Sequence, residues 1–402
     1  MSYRHIYANL VQYTRMEAKK MIENIQQRAR GTKEVLNLVN PLKKEIGVTR
    51  LADITHLDNI GIPVYCSYRP KGYVLQANAG KGYTHEAAQC SAMMEALEYS
   101  EFEKFDENKA AKYSSYNDLK KLSAINYRDL TSDVSPFYSD NLPISWIQIE
   151  DLKDREEKLC PADLVYLLKR QYTLFHTNGI ASGNTNSEAT LHALYEVIER
   201  DAYARILVDG KLNIREVGKS IDLDSVESSV INELTKKVRE ADNEIFLIKL
   251  PTAIDVYAFW CVVLDNFSVS STGSFNIGLG CHSDPNVAAI RAITEAVQSR
   301  LIYIHGNRED IRHKAVFNKE YNIPKKIYSF FPSLIKHRFS HECRKESPYV
   351  KMSIEESVCE IVAELNRSGY EKIYRHILRD EKRIFSVVKV IIPGMKCENR
   401  LL

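Results

Sequence analysis

The chain of 402 residues carries 55 Lys and Arg against 53 Asp and Glu, a net charge of +2, which gives no electrostatic case for a nucleic acid or a membrane surface as partner. With 44% apolar and 27% charged residues it can bury a substantial core, and no apolar run approaches the roughly 20 residues of a membrane span. The start, Met1-Ser2-Tyr3-Arg4-His5, lacks a secretory apolar stretch, and the eight cysteines form no CxxC pair. Disulfides, structural zinc and iron–sulfur clusters are therefore set aside, and a cytoplasmic protein is the default expectation.

In chain order, Tyr7, Leu10, Val11, Tyr13, Met16, Met21, Ile22 and Ile25 recur at loose helical spacing, which predicts a helix ended by Gly31. Residues 1–44 are thus expected to be a helical extension, open between packing on the core and a partner or homodimer contact, and residues 45–402 the main domain. Pro63 to Tyr68 alternates, Lys71-Gly72 is a turn, and Tyr73-Val74-Leu75-Gln76 is expected to return as a second strand. A helix should follow Thr84 at a strand end, where ligand sites of α/β folds gather. Within the turn-rich stretch 106–170, Ser145 to Glu150 and Leu164-Val165-Tyr166 are expected to be short strands.

Residues 178–204 are the most patterned stretch. A Gly/Ser/Asn loop offers Thr185, Asn186 or Ser187 as N-cap to a helix whose stripe is Ala189, Leu191, Leu194, Val197 and Ile198. Glu196 and Glu199 sit at i and i+3 and project together, and two adjacent like charges call for a shared cation or proton. The pattern recurs. Gly80 leads to Glu95 and Glu98 with Ser91 one turn earlier; Gly280 leads to Glu295 and Gln298 with Arg291 one turn earlier; in both, the first acid lies 15 residues after the glycine. Glu95, Glu196 and Glu295 are 101 and 99 residues apart, as expected for three helices sharing one site.

Farther along, residues 224–264 and 353–393 share a layout: Asp224 and Ser353 are expected to cap amphipathic helices that stop near Ala241-Asp242 and Ser368-Gly369 and lead into strands. That repetition favours one internally repetitive α/β core. The basic, aromatic tract 306–348 is open between an insert or lid touching a substrate peptide and a solvated connector. Cys281, beside His282 in the third lead-in loop, is open between a thiol nucleophile and a structural residue.

These segments resemble the three signatures of the YcaO family, ATP-dependent enzymes that modify peptide backbone amides. The Gly47 to Asp53 run, the Leu57 to Val64 run and Arg69-Pro70 resemble the family's amino-terminal stretch. The resemblance implies a YcaO-type α/β fold whose acidic helices converge on ATP and Mg2+ without a glycine-rich phosphate loop. Carried over by motif, Glu95, Glu98, Glu188, Glu196, Glu199 and Glu295 are the expected metal and nucleotide contacts. Ser91 and Gln298 offer neutral hydrogen bonds and Arg291 a fixed cation for phosphate, while Arg200 and Lys81 bind phosphate or pair with neighbouring acids. No general base stands out. Azoline-forming relatives have a proline-rich chain end; here Pro393 alone precedes Cys397 and Leu402, which is more similar to the TfuA-associated branch that installs thioamides. The expected partners are a ribosomally made precursor peptide and a separate TfuA-like or ThiF-like protein.

Overall fold

The computed structural model describes residues 27–107, 110–173, 177–208, 211–212, 217, 219–265, 275–306, 329–343 and 348–397. Residues 1–26 of the expected extension, most of the 306–348 tract and the end beyond Cys397 lie outside the described residues. Six helices of eight or more residues are described: α1 (Thr32–Val39), α2 (His85–Phe102), α3 (Asn186–Arg205), α4 (Ser229–Glu240), α5 (Pro285–His305) and α6 (Ile354–Arg367). None of the described helices is long and apolar enough to cross a membrane.

Three antiparallel sheets carry the architecture. β1 (Arg50–Asp53), β2 (Val64–Tyr68) and β3 (Ala77–Lys81) form the first in that order. The second joins β4 (Lys112–Ser114), β5 (Ile144–Asp151), β15 (Tyr374–Arg379), β16 (Ser386–Ile391) and β7 (Ile180–Gly183), with β6 (Glu157–Pro161) also paired to β5. The third is β11 (Asn243–Leu250), β12 (Tyr257–Asp265) and β13 (Phe275–His282). Two small pairs complete the list: β8 (Leu207–Val208) with β9 (Lys211–Leu212), and β10 (Lys219–Asp222) parallel to β14 (Ile335–Arg338).

Each acidic helix is fed by the edge strand of a different sheet: β3 into α2, β7 into α3, β13 into α5. Each feeding strand also receives an acidic helix from another unit: α2 packs on β7, α3 on β13 and α5 on β3. The three strand–helix units thus close a ring, and the acids face its middle. Small residues make the close approach possible. A Cβ on Gly80 would lie 1.9 Å from the Ala92 nitrogen, and one on Gly280 would lie 2.1 Å from the Ala288 oxygen. Thr84, Thr185 and Asp284 cap the three helices by accepting from main-chain N–H groups of the first turn.

The third sheet divides the core by strand periodicity. Tyr257, Phe259, Cys261 and Val263 face a cluster with α4 and α5, while Ala258, Trp260, Val262 and Leu264 face one with α3 and α6. Both faces are covered, so β12 is buried almost throughout.

Several expectations are corrected. Tyr73 to Gln76 is not a strand: the Tyr73 and Val74 amides donate to the Glu103 carboxylate, each at 3.1 Å, and pairing begins at Ala77. Leu164 closes a single 3-10 turn after β6. Asp224 sits in another such turn, and Ser228 is the residue preceding α4. Gly31 precedes α1 instead of ending a helix there. Ser353 does cap α6, with a reciprocal bond from its own amide to Glu356. In the 306–348 tract, the described Ile335–Arg338 is held as β14, and Phe339 is buried in the core beyond it.

Candidate functional site: an acidic ring between three helices

Glu98 on α2 accepts from the Ser182 amide at 2.8 Å and the Ser182 hydroxyl at 2.6 Å, which ties α2 to β7. On the other side of the ring, Glu295 on α5 is ion-paired with Lys81 at the end of β3, and Gln298 donates to the Ala79 carbonyl. Arg200 on α3 lies 4.0 Å from Glu199. Ser91 and Glu95 occupy successive turns of α2, both half-buried.

The electrostatics show that these groups face one another. Burial, with repulsion from Glu196 and Glu95, pushes Glu98 up to about 8. Burial likewise raises Glu196 to about 7; Glu199 and Glu295 add to the rise, and Arg200 and Lys389 oppose it. Burial and Glu295 raise Glu199 against the pull of Arg200, Arg291 and Lys81. Glu295 moves the other way: burial works against its charge, but Lys81 and Arg200 hold it below the usual range. Five of the six expected acids are therefore brought together, with too little positive charge nearby to ionise all of them.

Glu188, the sixth, stands apart in a donor shell of its own. Asn184 Nδ2 reaches both oxygens at 3.1 and 2.9 Å, and Ala29 N and Arg28 Nη1 add bonds at 3.0 and 3.1 Å. The chain just after residue 26 is thereby fastened onto α3. A separate cavity of about 350 Å³ opens at the start of α3 between Arg155, Arg375 and Cys359; none of the acidic ring lines it.

Among the described residues no group of three or more His, Cys, Asp or Glu side chains is arranged to enclose a metal ion unaided. The donor set nevertheless fits Mg2+ carried by a polyphosphate, because that ion takes one or two carboxylates and completes its shell with phosphate and water oxygens. Carboxyls raised by burial and by one another accept such a cation, and the buried Arg291 Nε, which has no hydrogen-bond partner, suits an anionic oxygen.

Three further groups act on the six expected acids and are missing from the motif-based set. Lys389, buried in β16, has its ammonium pulled down to about 8 by burial while Glu196 pulls it upward. Its signal in the sequence is a lone charge inside Val387-Val388-Lys389-Val390-Ile391-Ile392. Ser182 and Asn184 are the other two, and only their place in the lead-in loop hints at them. Cys281 is buried, and burial pushes its thiol well above its usual range, which favours the structural reading over the nucleophile.

Comparison with known proteins identifies the family. The family model described as YcaO cyclodehydratase, ATP- and Mg2+-binding, matches residues 79–396. A protein of Methanothermobacter thermautotrophicus is 34% identical over 368 residues, covering 87% of this chain and 90% of its own. A protein from the tfuA 3' region of Rhizobium leguminosarum bv. trifolii is 30% identical over 395 residues, covering 94% and 90%. The structure of YcaO from Methanopyrus kandleri bound with AMPPCP and Mg2+ superposes with a TM-score of 0.71 at 24% identity, covering 92% of both chains. A heterocyclase in complex with substrate and cofactor gives 0.71 at 21% identity over 92% of this chain and 53% of that one. With its family signature matched across most of its length and its acidic helices set around one centre, this chain belongs to the YcaO family of ATP- and Mg2+-binding proteins.

Proposed function

We propose that the chain uses ATP and Mg2+ to phosphorylate the oxygen of a peptide backbone amide and then directs a sulfur nucleophile onto the activated carbon, giving a thioamide in a ribosomally made peptide. An amide oxygen is a poor leaving group, so it must first become a phosphate ester. In the first step the amide oxygen bonds to the terminal phosphorus and the bond to ADP breaks. In the second, hydrosulfide adds to the amide carbon, phosphate departs with the former amide oxygen and takes up the hydrosulfide proton, and a C=S bond remains.

Mg2+, when bound, neutralises the phosphate oxygens. The chain's own groups position and balance charge: Glu95, Glu98, Glu196 and Glu199 take the cation, and Arg291 reaches for phosphate. Lys81, Arg200 and Glu295 hold one another in register. The observation that favours thioamide formation is the relative from the tfuA 3' region, aligned over 94% of this chain. It also points to a TfuA-like partner; a ThiF-like one is the alternative.

The family description as a cyclodehydratase supports a second reading, azoline formation from Cys, Ser or Thr. Mass spectrometry of a precursor peptide treated with the enzyme, Mg-ATP and sulfide decides between them. Replacement of one oxygen by sulfur, with ADP formed in step, supports thioamidation. Loss of one water per modified residue selects the azoline reading, and an unchanged peptide with no peptide-dependent ATP use would leave only a scaffold role.

A further inference from the structure

β10 and β14 form a parallel pair in register from Lys219↔Ile335 to Asp222↔Arg338, and among the described residues no third strand pairs with either. A two-stranded sheet is marginal alone, and parallel strands are ordinarily buried among neighbours. β10 has such cover: Ser220 and Ile221 are buried, and the strand packs on β11. β14 does not. Ile335, Lys336 and Arg338 are exposed, Ile335 by 67%, and His337 is half-buried. Alternation sets Lys336 and Arg338 on one face of β14 and Ile335 and His337 on the other. Neither cation of the first face enters an ion pair or a side-chain hydrogen bond among the described residues. The acids around them are engaged: Glu342 by His337 at 3.0 Å, Asp224 by Arg239 at 2.6 Å, and Asp222, beside Arg338 in the register, by the Asp224 amide at 3.3 Å. Lys336 acts on Asp224 through its field. Charge on an open edge turns most strands away, but leaves its N–H and C=O groups to a strand of opposite charge.

We infer that the outer edge of β14 takes up an extended acidic segment of the polypeptide substrate as a third strand, with its acids toward Lys336 and Arg338 and its apolar or β-branched residues over Ile335. The inference rests on the proposed action on a peptide and adds a docking surface outside the acidic ring. β14 contributes nothing to that ring, so the segment it holds is distinct from the residue modified. A strand edge binds main chain for affinity and side chains for selectivity. That suits an enzyme whose reacting group is itself a backbone amide, and it gives the described part of the basic 306–348 tract a role beyond that of a solvated connector.

The test is fluorescence anisotropy at low ionic strength with a short labelled peptide of alternating Glu and Thr, against wild type and a variant carrying both Lys336→Glu and Arg338→Glu. Both positions are exposed, so the variant should keep the wild-type melting temperature; should it fail to fold, Lys336→Gln with Arg338→Gln carries the same comparison. Wild type should bind the peptide, and charge reversal should weaken it about tenfold or more while admitting a peptide of alternating Lys and Thr. Methylating the main-chain nitrogens of alternate residues should abolish binding for one set and spare it for the other, because only one set faces the strand. Added to the precursor-peptide assay, the Glu and Thr peptide should raise KM and leave kcat unchanged. No binding, equal binding by the folded variant, or indifference to methylation of either set overturns the inference. So does an unchanged KM, which takes the substrate from this edge, or a wild-type dimer that charge reversal dissociates, which gives the edge to a second copy. Probe binding needs no ATP, so a wild type that binds the probe but shows no peptide-dependent ATP use overturns the proposed function instead.

Discussion

Helices α3 and α6 lie against each other, yet follow opposite rules. α6 buries one stripe, Val358, Ile361, Val362 and Leu365, leaves the other face to solvent, and starts with a reciprocal cap. Its stripe and its cap serve stability. α3 is buried along nearly its whole length and still carries Glu188, Glu196, Glu199 and Asp201 inward. Glu188 is matched by four hydrogen bonds from Asn184, Ala29 and Arg28; Glu196 and Glu199 are not so matched, and burial raises both carboxyls, Glu196 to about 7. The contrast teaches that buried charge alone does not mark a ligand site here. Buried charge left without enough counter-charge does.

The sharpest way to break the comparison is to neutralise one acid in each unit. Glu95→Gln and Glu196→Gln are expected to abolish ATP turnover, and Glu196→Gln should melt at or above the wild-type temperature, since it removes a charge the fold resists. Glu295→Gln should also abolish turnover but melt lower, because Lys81 is left without its carboxylate. Normal turnover in two of the three would end the idea of a common site. On α6, Leu365→Ala should do the reverse: a loss of about 2–5 kcal/mol in denaturant unfolding, with turnover per folded molecule retained.

pH sharpens the same contrast. A carboxyl whose folded pKa is raised binds more proton folded than unfolded, so stability falls as pH rises between the two values. For Glu196 that window runs from 4.5 to about 7, worth on the order of 3 kcal/mol. The melting temperature without nucleotide should decline across it, and Glu196→Gln should flatten the decline. An equal slope in the variant would contradict the assignment. Smaller still, Gly280→Ala should cost about 1–3 kcal/mol by forcing α5 off β13, and Ser353→Ala about 1 kcal/mol through the lost cap of α6. Thermal denaturation of each checks both.

Much of the site is legible in the sequence, because its signal is local. The spacing from Gly80 to Glu95 and from Gly280 to Glu295 sets a strand end, a cap and an inward turn of helix in a fixed relation. Closure of the ring is not local. That Lys81 meets Glu295, 214 positions away, or that Ser182 holds Glu98, depends on which edge strand receives which helix, and no periodicity encodes it. The misread strand at Tyr73 to Gln76 fails for a similar reason: its β-like pattern is real, but Glu103 from the end of α2 captures two of its amides. Lys389 escapes notice because a single lysine in an apolar strand reads as an edge residue until both neighbours of the strand are known.

The central claim is that four carboxyls short of counter-charge, Glu95, Glu98, Glu196 and Glu199, take Mg2+ and a polyphosphate beside the Lys81–Glu295 pair, and proton release on binding tests it most directly. Titrating wild type and Glu196→Gln with Mg-ATP near neutral pH, in buffers of different ionisation enthalpy, counts the protons displaced. Wild type should release more than the variant, and its affinity should rise with pH through about 7 and about 8, where Glu196 and Glu98 ionise. Equal proton release from both proteins, with affinity independent of pH over that range, would contradict it.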